Sequence, residues 1–250
     1  MKPIRRVVCL AAALLPWAAV WAADAPAVPC RVAGVAHEVR CGSVQRALDP
    51  AAPEGRRIDV HYVVVPALAR RKLPDPVFLL AGGPGQSAID VAGDVMPLFA
   101  RLNNRRDIVF VDQRGTDRSA PLVCDQPSHR TLSEQVDVVR HIVRLRECRE
   151  ALAKLPHVGG TDGLRFFTTS IAMQDLDAVR RALGAERINL VGVSYGTRAA
   201  LEYQRQFPAH LRRSVLDGVA PPDMALPASF STDAQAALDT WFAACRDDAA

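Results

Sequence analysis

The fold is decided by the segment Arg187-Ile188-Asn189-Leu190-Val191-Gly192-Val193-Ser194-Tyr195-Gly196-Thr197. An apolar strand over residues 187–193 runs into the pattern Gly-x-Ser-x-Gly, and residues 197–206 then continue as a helix. A sharp strand-to-helix turn needs small residues on both sides of its serine, because larger side chains would clash there. Such a turn holds the serine oxygen at the edge of a sheet, beside a helix N-terminus. We therefore predict that Ser194 is a nucleophile.

Segments on both sides of this turn extend an alternating α/β pattern. Short strands are predicted at residues 58–66, 76–80, 107–111 and 213–216, and helices at 170–183 and 232–248. The first of these helices stops at Gly184. Strands that alternate with helices predict a mostly parallel sheet with helices on both faces. Ligands bind such sheets outside the carboxyl ends of their strands.

Three glycine-containing turns are expected at those strand ends, over residues 82–85, 112–115 and 192–196. Acyl transfer requires two backbone N–H donors that face the developing oxyanion. The residue after the nucleophile, Tyr195, supplies one, and a loop after an earlier strand supplies the other. Gly83 in Gly82-Gly83-Pro84-Gly85 is the candidate, since a residue without Cβ lets the backbone approach a substrate closely. The alternative is an ordinary Gly-Pro turn.

Three motifs carry a resemblance to a known family. The chain contains Gly82-Gly83-Pro84-Gly85, then Asp112-Gln113-Arg114-Gly115-Thr116-Asp117-Arg118-Ser119, then Gly192-Val193-Ser194-Tyr195-Gly196. In this order they resemble the proline iminopeptidase and tripeptidyl aminopeptidase group of α/β-hydrolases, over about residues 58–250. The resemblance implies an exported aminopeptidase that releases one or a few residues from peptide N-termini, without a cofactor. It also implies a cap domain and a C-terminal segment that carries the catalytic acid and base.

The segment from Asp112 to Ser119 is interpreted as scaffolding beside the oxyanion loop. The family usually has glycine where Asp117 stands, which leaves the course of this loop open. For Arg114 and Arg118 an ion pair with a nearby acid is favoured over direct contact with substrate.

The catalytic base and acid are not apparent after Ser194. Fold order requires serine, then an acid, then histidine. His210 is the only later histidine, and Glu202 is the only acid between the two. Glu202 lies within the predicted helix and His210 follows it, and this helix leads away from the active-site edge. Asp217 ends the next strand and is a weaker candidate for the acid, since a strand-end aspartate also forms turns. We expect the base to lie beyond residue 250, in a chain of which residues 58–250 are the N-terminal portion of the hydrolase domain.

The N-terminus has the pattern of a signal peptide over residues 1–22, with a basic start, an apolar run and small residues before the cleavage point. The alternative is an uncleaved anchor. Loss of this segment would remove Lys2, Arg5 and Arg6, so the formal charge of +4 would become +1 (4 − 3). No basic patch indicates nucleic acid binding, and no membrane association is expected after cleavage. We therefore predict export to the periplasm or the exterior.

Five cysteines follow the signal segment. Cys30–Cys41 and Cys124–Cys148 are the natural local pairs in an exported protein, and the first closes a loop in an N-terminal extension over residues 23–57. Cys245 is either free or paired beyond residue 250. No metal site is predicted, because no Cys-x-x-Cys pair or histidines at ligand spacing occur.

Three functions stay open at this point. The first is a serine aminopeptidase that acts on peptides through an acyl-enzyme at Ser194. The second is a carboxylic ester hydrolase, because the same machinery cleaves esters. The third is an inactive fragment or binding remnant. The sequence does not indicate the oligomeric state.

Overall fold

A computed structural model describes residues 27–124, 131–225 and 228–248. The predicted signal segment and His129 lie outside these ranges. The described residues form one seven-stranded mixed sheet. In chain order its strands are β1 (Val28–Cys30), β2 (Val39–Ala47), β3 (Arg57–Val65), β4 (Val77–Leu80), β5 (Ile108–Val111), β6 (Ile188–Val193) and β7 (Leu211–Asp217).

The strands are arranged in the spatial order β1-β2-β3-β5-β4-β6-β7. The pairs from β1 to β5 are antiparallel, and β5, β4, β6 and β7 run parallel to one another. The parallel half of the sheet therefore brings the ends of β4, β5 and β6 to one edge. This confirms the predicted α/β-hydrolase fold and the predicted place of the three glycine-containing turns.

Six α-helices accompany the sheet in the described ranges. They are α1 (Ala92–Asn103), α2 (Leu132–Val136), α3 (Val138–Ala153), α4 (Thr169–Ala182), α5 (Tyr195–Gln206) and α6 (Phe230–Asp247). All the strands and helices that the sequence predicts are present within two residues of the expected bounds. The strands β1 and β2 and the helices α1, α2 and α3 were not predicted.

Two separate cores lie on opposite faces of the sheet. Phe78 and Leu80 of β4 face a cluster that includes residues of α4 and α5, whereas Val77 and Leu79 face a cluster that includes α1. This alternation is the two-residue period of a β-strand. Because both faces of β4 and β5 are covered, these strands are apolar throughout and hold the active-site edge rigidly.

The predicted N-terminal extension joins the sheet, since β2 pairs with β3 along its whole length. The predicted disulfide Cys30–Cys41 is present and closes the loop between β1 and β2. This loop packs against α1: a Cβ on Gly93 would lie 2.7 Å from the carbonyl oxygen of Ala33 and from Cα of Gly34. Backbone-to-backbone contact of this kind is available only to glycine.

The second predicted disulfide, Cys124–Cys148, joins the end of the loop after β5 to α3. Cys245 is a free, exposed cysteine on α6. Within the described ranges, no helix is both long and apolar enough to cross a membrane.

We predict that Gly93→Ala destabilises the fold by about 1–3 kcal/mol, because the added methyl overlaps the backbone of the disulfide loop. This loss exceeds the gain in helix propensity, which is at most about 1 kcal/mol. Urea unfolding measures the effect, with Leu98→Ala on the exposed side of α1 as the control. A midpoint equal to that of the unchanged protein would contradict the described docking of the loop.

Candidate active site

Ser194 occupies a strained turn between β6 and α5. Its backbone has φ 54° and ψ −121°, a region that non-glycine residues rarely adopt. The Ser194 amide donates to the carbonyl oxygen of Asp217 on β7 at 2.8 Å. The Thr197 amide and hydroxyl both donate to the Ser194 carbonyl oxygen, at 2.9 and 2.6 Å. These bonds hold the serine side chain exposed at the carboxyl edge of the sheet.

The two glycines of the motif are required by close backbone contacts. A Cβ on Gly192 would lie 2.5 Å from the carbonyl oxygen of Gly196. A Cβ on Gly196 would overlap the carbonyl oxygen of Leu80 at the end of β4. The turn therefore folds back on itself and packs on the neighbouring strand, which is the arrangement that the Gly-x-Ser-x-Gly pattern predicts.

The loop after β4, residues 82–91, is called the oxyanion loop below. It contacts Ser194, since a Cβ on Gly82 would lie 3.3 Å from Cβ of Ser194. Gly83 follows with φ 102°, which favours glycine. The loop thus brings Gly83 to the same strand ends as Ser194 and Tyr195. The role of Gly83 and Tyr195 as oxyanion donors stays a prediction.

A cleft of about 560 Å³ opens beside this turn, between the oxyanion loop, the loop after β5 and the start of α4. Tyr195 lines the cleft, and its hydroxyl shares a hydrogen bond of 2.6 Å with the Thr169 hydroxyl. Phe167 and Leu122 add apolar surface, and Gln113 adds an amide. The cleft therefore has the size and mixed lining of a small-molecule or peptide side-chain site.

Arg114 forms the ion pair that the sequence predicts. Its side chain is buried and makes two hydrogen bonds to Asp175 on α4, at 2.6 and 2.9 Å. Arg46 of β2 donates to the same carboxylate at 2.9 Å. Arg114 also donates to three backbone carbonyl oxygens, those of Ala47, Leu48 and Phe166. It forms the wall of the cleft as a structural residue, and Arg118 is exposed at a separate cavity.

Asp117 stands where the family usually has glycine, and it adopts φ 37°. Aspartate tolerates this left-handed conformation better than most residues. The turn is also closed by hydrogen bonds from the Gly115 amide to Ser119 and from the Ser119 amide to Thr116. With aspartate at position 117 in place of the family's usual glycine, the loop after β5 therefore still forms a tight turn.

The backbone of Asp217 lies beside Ser194. It pairs in register with Val193, and its carbonyl oxygen accepts the Ser194 amide. The side chain is exposed. Its role as the catalytic acid stays a weak prediction.

His210 lies at the amino-terminal end of the parallel strands, away from Ser194, as expected. It precedes Leu211, which pairs with Ile188 at the start of β6, so about six residues or roughly 20 Å of strand separate it from Ser194. Its Nδ1 lies 2.9 Å from the Asp177 carboxylate, and its ring stacks on Phe207. Its function is structural.

The other described histidines form no hydrogen bond with Ser194 in the part of the chain that the structure describes. His61 lies on β3, three strands from β6 or roughly 14 Å away. Burial, and secondly the charge of Arg118, lower its pKa. His157 bonds the carbonyl oxygen of Pro121, and His37 and His141 are exposed.

Asp112 is a buried carboxylate whose contacts were not predicted. It ends β5 and accepts hydrogen bonds from the Ser87 hydroxyl at 2.8 Å and from the Ile89 amide at 3.1 Å. An acid directly after a buried strand was the available signal, but its partners lie 23 and 25 residues earlier. Within the described ranges, no group of three histidine, cysteine or acidic side chains has metal-site geometry.

Comparison with known proteins gives a consistent picture. Residues 75–244 match a family model described as alpha/beta hydrolase fold. The chain is 31% identical over 190 residues to the serine protease Hip1 of Mycobacterium tuberculosis, and 30% identical over 192 residues to the tripeptidyl aminopeptidase of Streptomyces lividans. These matches cover 73% and 74% of this chain.

The matched region is only part of each relative. The chain spans 36% of the length of both of these proteins. A third relative, carboxylesterase B of Mycobacterium tuberculosis, is 31% identical over 222 residues, which are 81% of this chain and 40% of the relative.

We predict that Gly196→Ala destabilises the protein by more than about 3 kcal/mol, because a methyl group cannot fit against the end of β4. Gln204→Ala, on the exposed face of the same helix, is the control and is expected to stay within about 0.5 kcal/mol. Equilibrium unfolding of the two variants measures the difference. A Gly196→Ala protein with unchanged stability would show that the turn does not pack as described.

A second prediction concerns the ion pair below the cleft. Asp175→Asn leaves the buried Arg114 charge unpaired and is expected to cost about 3–5 kcal/mol. The matched control is Glu202→Gln, which breaks the exposed pair with Arg205 and is expected to cost less than about 1 kcal/mol. Similar unfolding midpoints for the two variants would refute a structural role for Arg114.

Proposed function

We propose that this chain, which belongs to the alpha/beta hydrolase family, carries the nucleophile of a serine hydrolase that acts as an exported aminopeptidase. The observation that carries the proposal is the strained Ser194 turn with the oxyanion loop packed against it. Ser194 attacks the carbonyl carbon of the substrate, and the amides of Gly83 and Tyr195 stabilise the oxyanion of the tetrahedral intermediate. The base takes the Ser194 hydroxyl proton and passes it to the amine as the C–N bond breaks, and water, deprotonated by the same base, then attacks the acyl carbon and releases the carboxylic acid and free Ser194.

Peptide substrates are favoured by the names of two relatives, a serine protease and a tripeptidyl aminopeptidase. The cleft beside Ser194 supports this choice, because it extends from the oxyanion loop towards α4 and is large enough for side chains. Esterase activity is the second candidate, since a carboxylesterase is also among the relatives and the same acyl chemistry serves both.

The base is proposed to come from a residue outside these 250, and its orienting acid either from there or from Asp217. The support is geometric: His61 and His210 are each at least roughly 14 Å from Ser194, and the other described histidines have no place in the fold order. The active form is then the full-length gene product. The greater length of the relatives supports this proposal.

Export is proposed as the location. The predicted signal segment, together with the disulfides Cys30–Cys41 and Cys124–Cys148, fits an oxidising compartment outside the cytoplasm. The proposed partner is a peptide, and neither nucleic acid nor a membrane is proposed as one.

We predict that Ser194→Ala lowers hydrolysis by the full-length protein at least about a thousandfold, since the acyl-enzyme cannot form. Ser133→Ala, on an exposed helix, is the control. Three substrates are compared: a tripeptide p-nitroanilide with a free amino terminus, its N-acetylated form, and p-nitrophenyl acetate.

Preference for the free amino terminus supports an aminopeptidase. Cleavage of the acetate ester with no cleavage of either anilide would favour the esterase. Activity that survives Ser194→Ala would refute both, and Ser194-dependent turnover by residues 23–250 alone would refute the proposed location of the base.

A further inference from the structure

Asp112 is a fully buried carboxylate in the loop after β5, and its side chain binds the oxyanion loop. Its Oδ1 accepts the Ser87 hydroxyl and the Ile89 amide. The same Ser87 oxygen accepts the Asp90 amide at 3.0 Å, so it links the carboxylate to the start of α1. One carboxylate therefore fixes the second half of the oxyanion loop.

This carboxylate is kept in an environment that disfavours charge. It is 0% exposed, and its Oδ2 has no hydrogen-bond partner within the described ranges. Burial raises the pKa of Asp112 to about 6, although the bonds from Ile89 and Ser87 oppose the shift. At neutral pH the group is ionised, and an ionised acceptor forms stronger hydrogen bonds than a neutral one. A buried polar atom without a partner is costly to the fold.

The hydrogen-bonded link from Asp112 to Ser87 and Ile89 is held in place at both ends. On one side, Arg114 is two residues after Asp112 and is fixed by Asp175, so the end of β5 is held in place. On the other side, Ala88 is buried in the same core as α1. The first residue of the same loop, Gly82, lies against Ser194.

We infer that Asp112 is a positioning residue of the hydrolase, which sets the oxyanion loop against the nucleophile through Ser87 and Ile89. The inference rests on the proposed function, since it presumes that the loop supplies an oxyanion donor. Asp112 does not touch the reacting atoms. Its effect is to keep the Gly83 amide where the oxyanion forms, so its loss weakens binding of the tetrahedral intermediate more than binding of the substrate.

The test compares Asp112→Leu and Asp112→Asn in the full-length protein. Leucine has a similar volume and no acceptor, whereas asparagine keeps an oxygen for Ser87 and Ile89. We expect Asp112→Leu to lower kcat between about tenfold and a hundredfold with KM within about threefold, because a whole oxyanion donor contributes about 10²–10³ in kcat. Asp112→Asn is expected to restore most of that loss. The substrate is p-nitrophenyl acetate, and active sites are counted by titration with a fluorophosphonate.

Asp59→Asn is the matched control, because Asp59 is an exposed carboxylate on β3, the strand next to β5. Its kcat is expected to be unchanged. Urea unfolding is measured for every variant. If Asp112→Leu fails to fold, Ser87→Ala decides, since it removes the hydroxyl that links Asp112 to Asp90 and is expected to lower kcat about fivefold to tenfold.

The possible outcomes separate the two proposals. An unchanged kcat in folded Asp112→Leu, or in Ser87→Ala where leucine does not fold, overturns the inference while leaving the hydrolase proposal intact. A loss explained wholly by fewer titratable active sites, or an equal loss in Asp112→Asn, also overturns it, since that is the pattern of a structural residue. If the wild-type protein shows no Ser194-dependent hydrolysis, the proposed function fails and the inference falls with it.

Discussion

The rest of this structure depends on the contact between the Ser194 turn and the end of β4. Gly196 lies so close to the Leu80 carbonyl oxygen that no side chain fits between them. This contact holds Ser194 in a backbone conformation that costs about 1–3 kcal/mol. This cost is offset by two hydrogen bonds. The Asp217 carbonyl oxygen on β7 accepts the Ser194 amide, and the Thr197 hydroxyl on α5 donates to the Ser194 carbonyl oxygen. Strain at the nucleophile is therefore maintained by the parallel half of the sheet.

At the edge of the sheet beside Ser194, the buried charged side chains have structural partners. The Arg114 charge is neutralised by Asp175, and the Asp112 charge is directed at the hydroxyl and amide of the oxyanion loop. Arg114 lines the cleft with its charge paired to Asp175, whereas Asp112 is not among the residues that line it. What the cleft presents to a carbonyl group is then backbone amides, side-chain hydroxyls and apolar surface. That arrangement suits acyl transfer, in which charge appears only as the reaction proceeds.

The sequence was most informative where local pattern and fold requirement coincide. The apolar strands β4, β5 and β6 and the glycine turns after them were predictable, because parallel strands buried on both faces leave unbroken apolar runs. The strand β2 was not predictable, since only two of its nine residues are fully buried and its alternation is weak. The helix α1 was hidden by Pro97 and Gly93. The partners of Asp112 and His210 could not be found, because each bond joins residues more than 20 positions apart.

The central claim is that Ser194 is an activated nucleophile in the complete protein. The most direct test is to treat the full-length gene product with a fluorophosphonate, digest it, and locate the adduct by mass spectrometry. We predict one adduct, on the peptide that contains Ser194, and no adduct after Ser194→Ala. An adduct on another residue, or active hydrolysis with Ser194 unlabelled, would contradict the account.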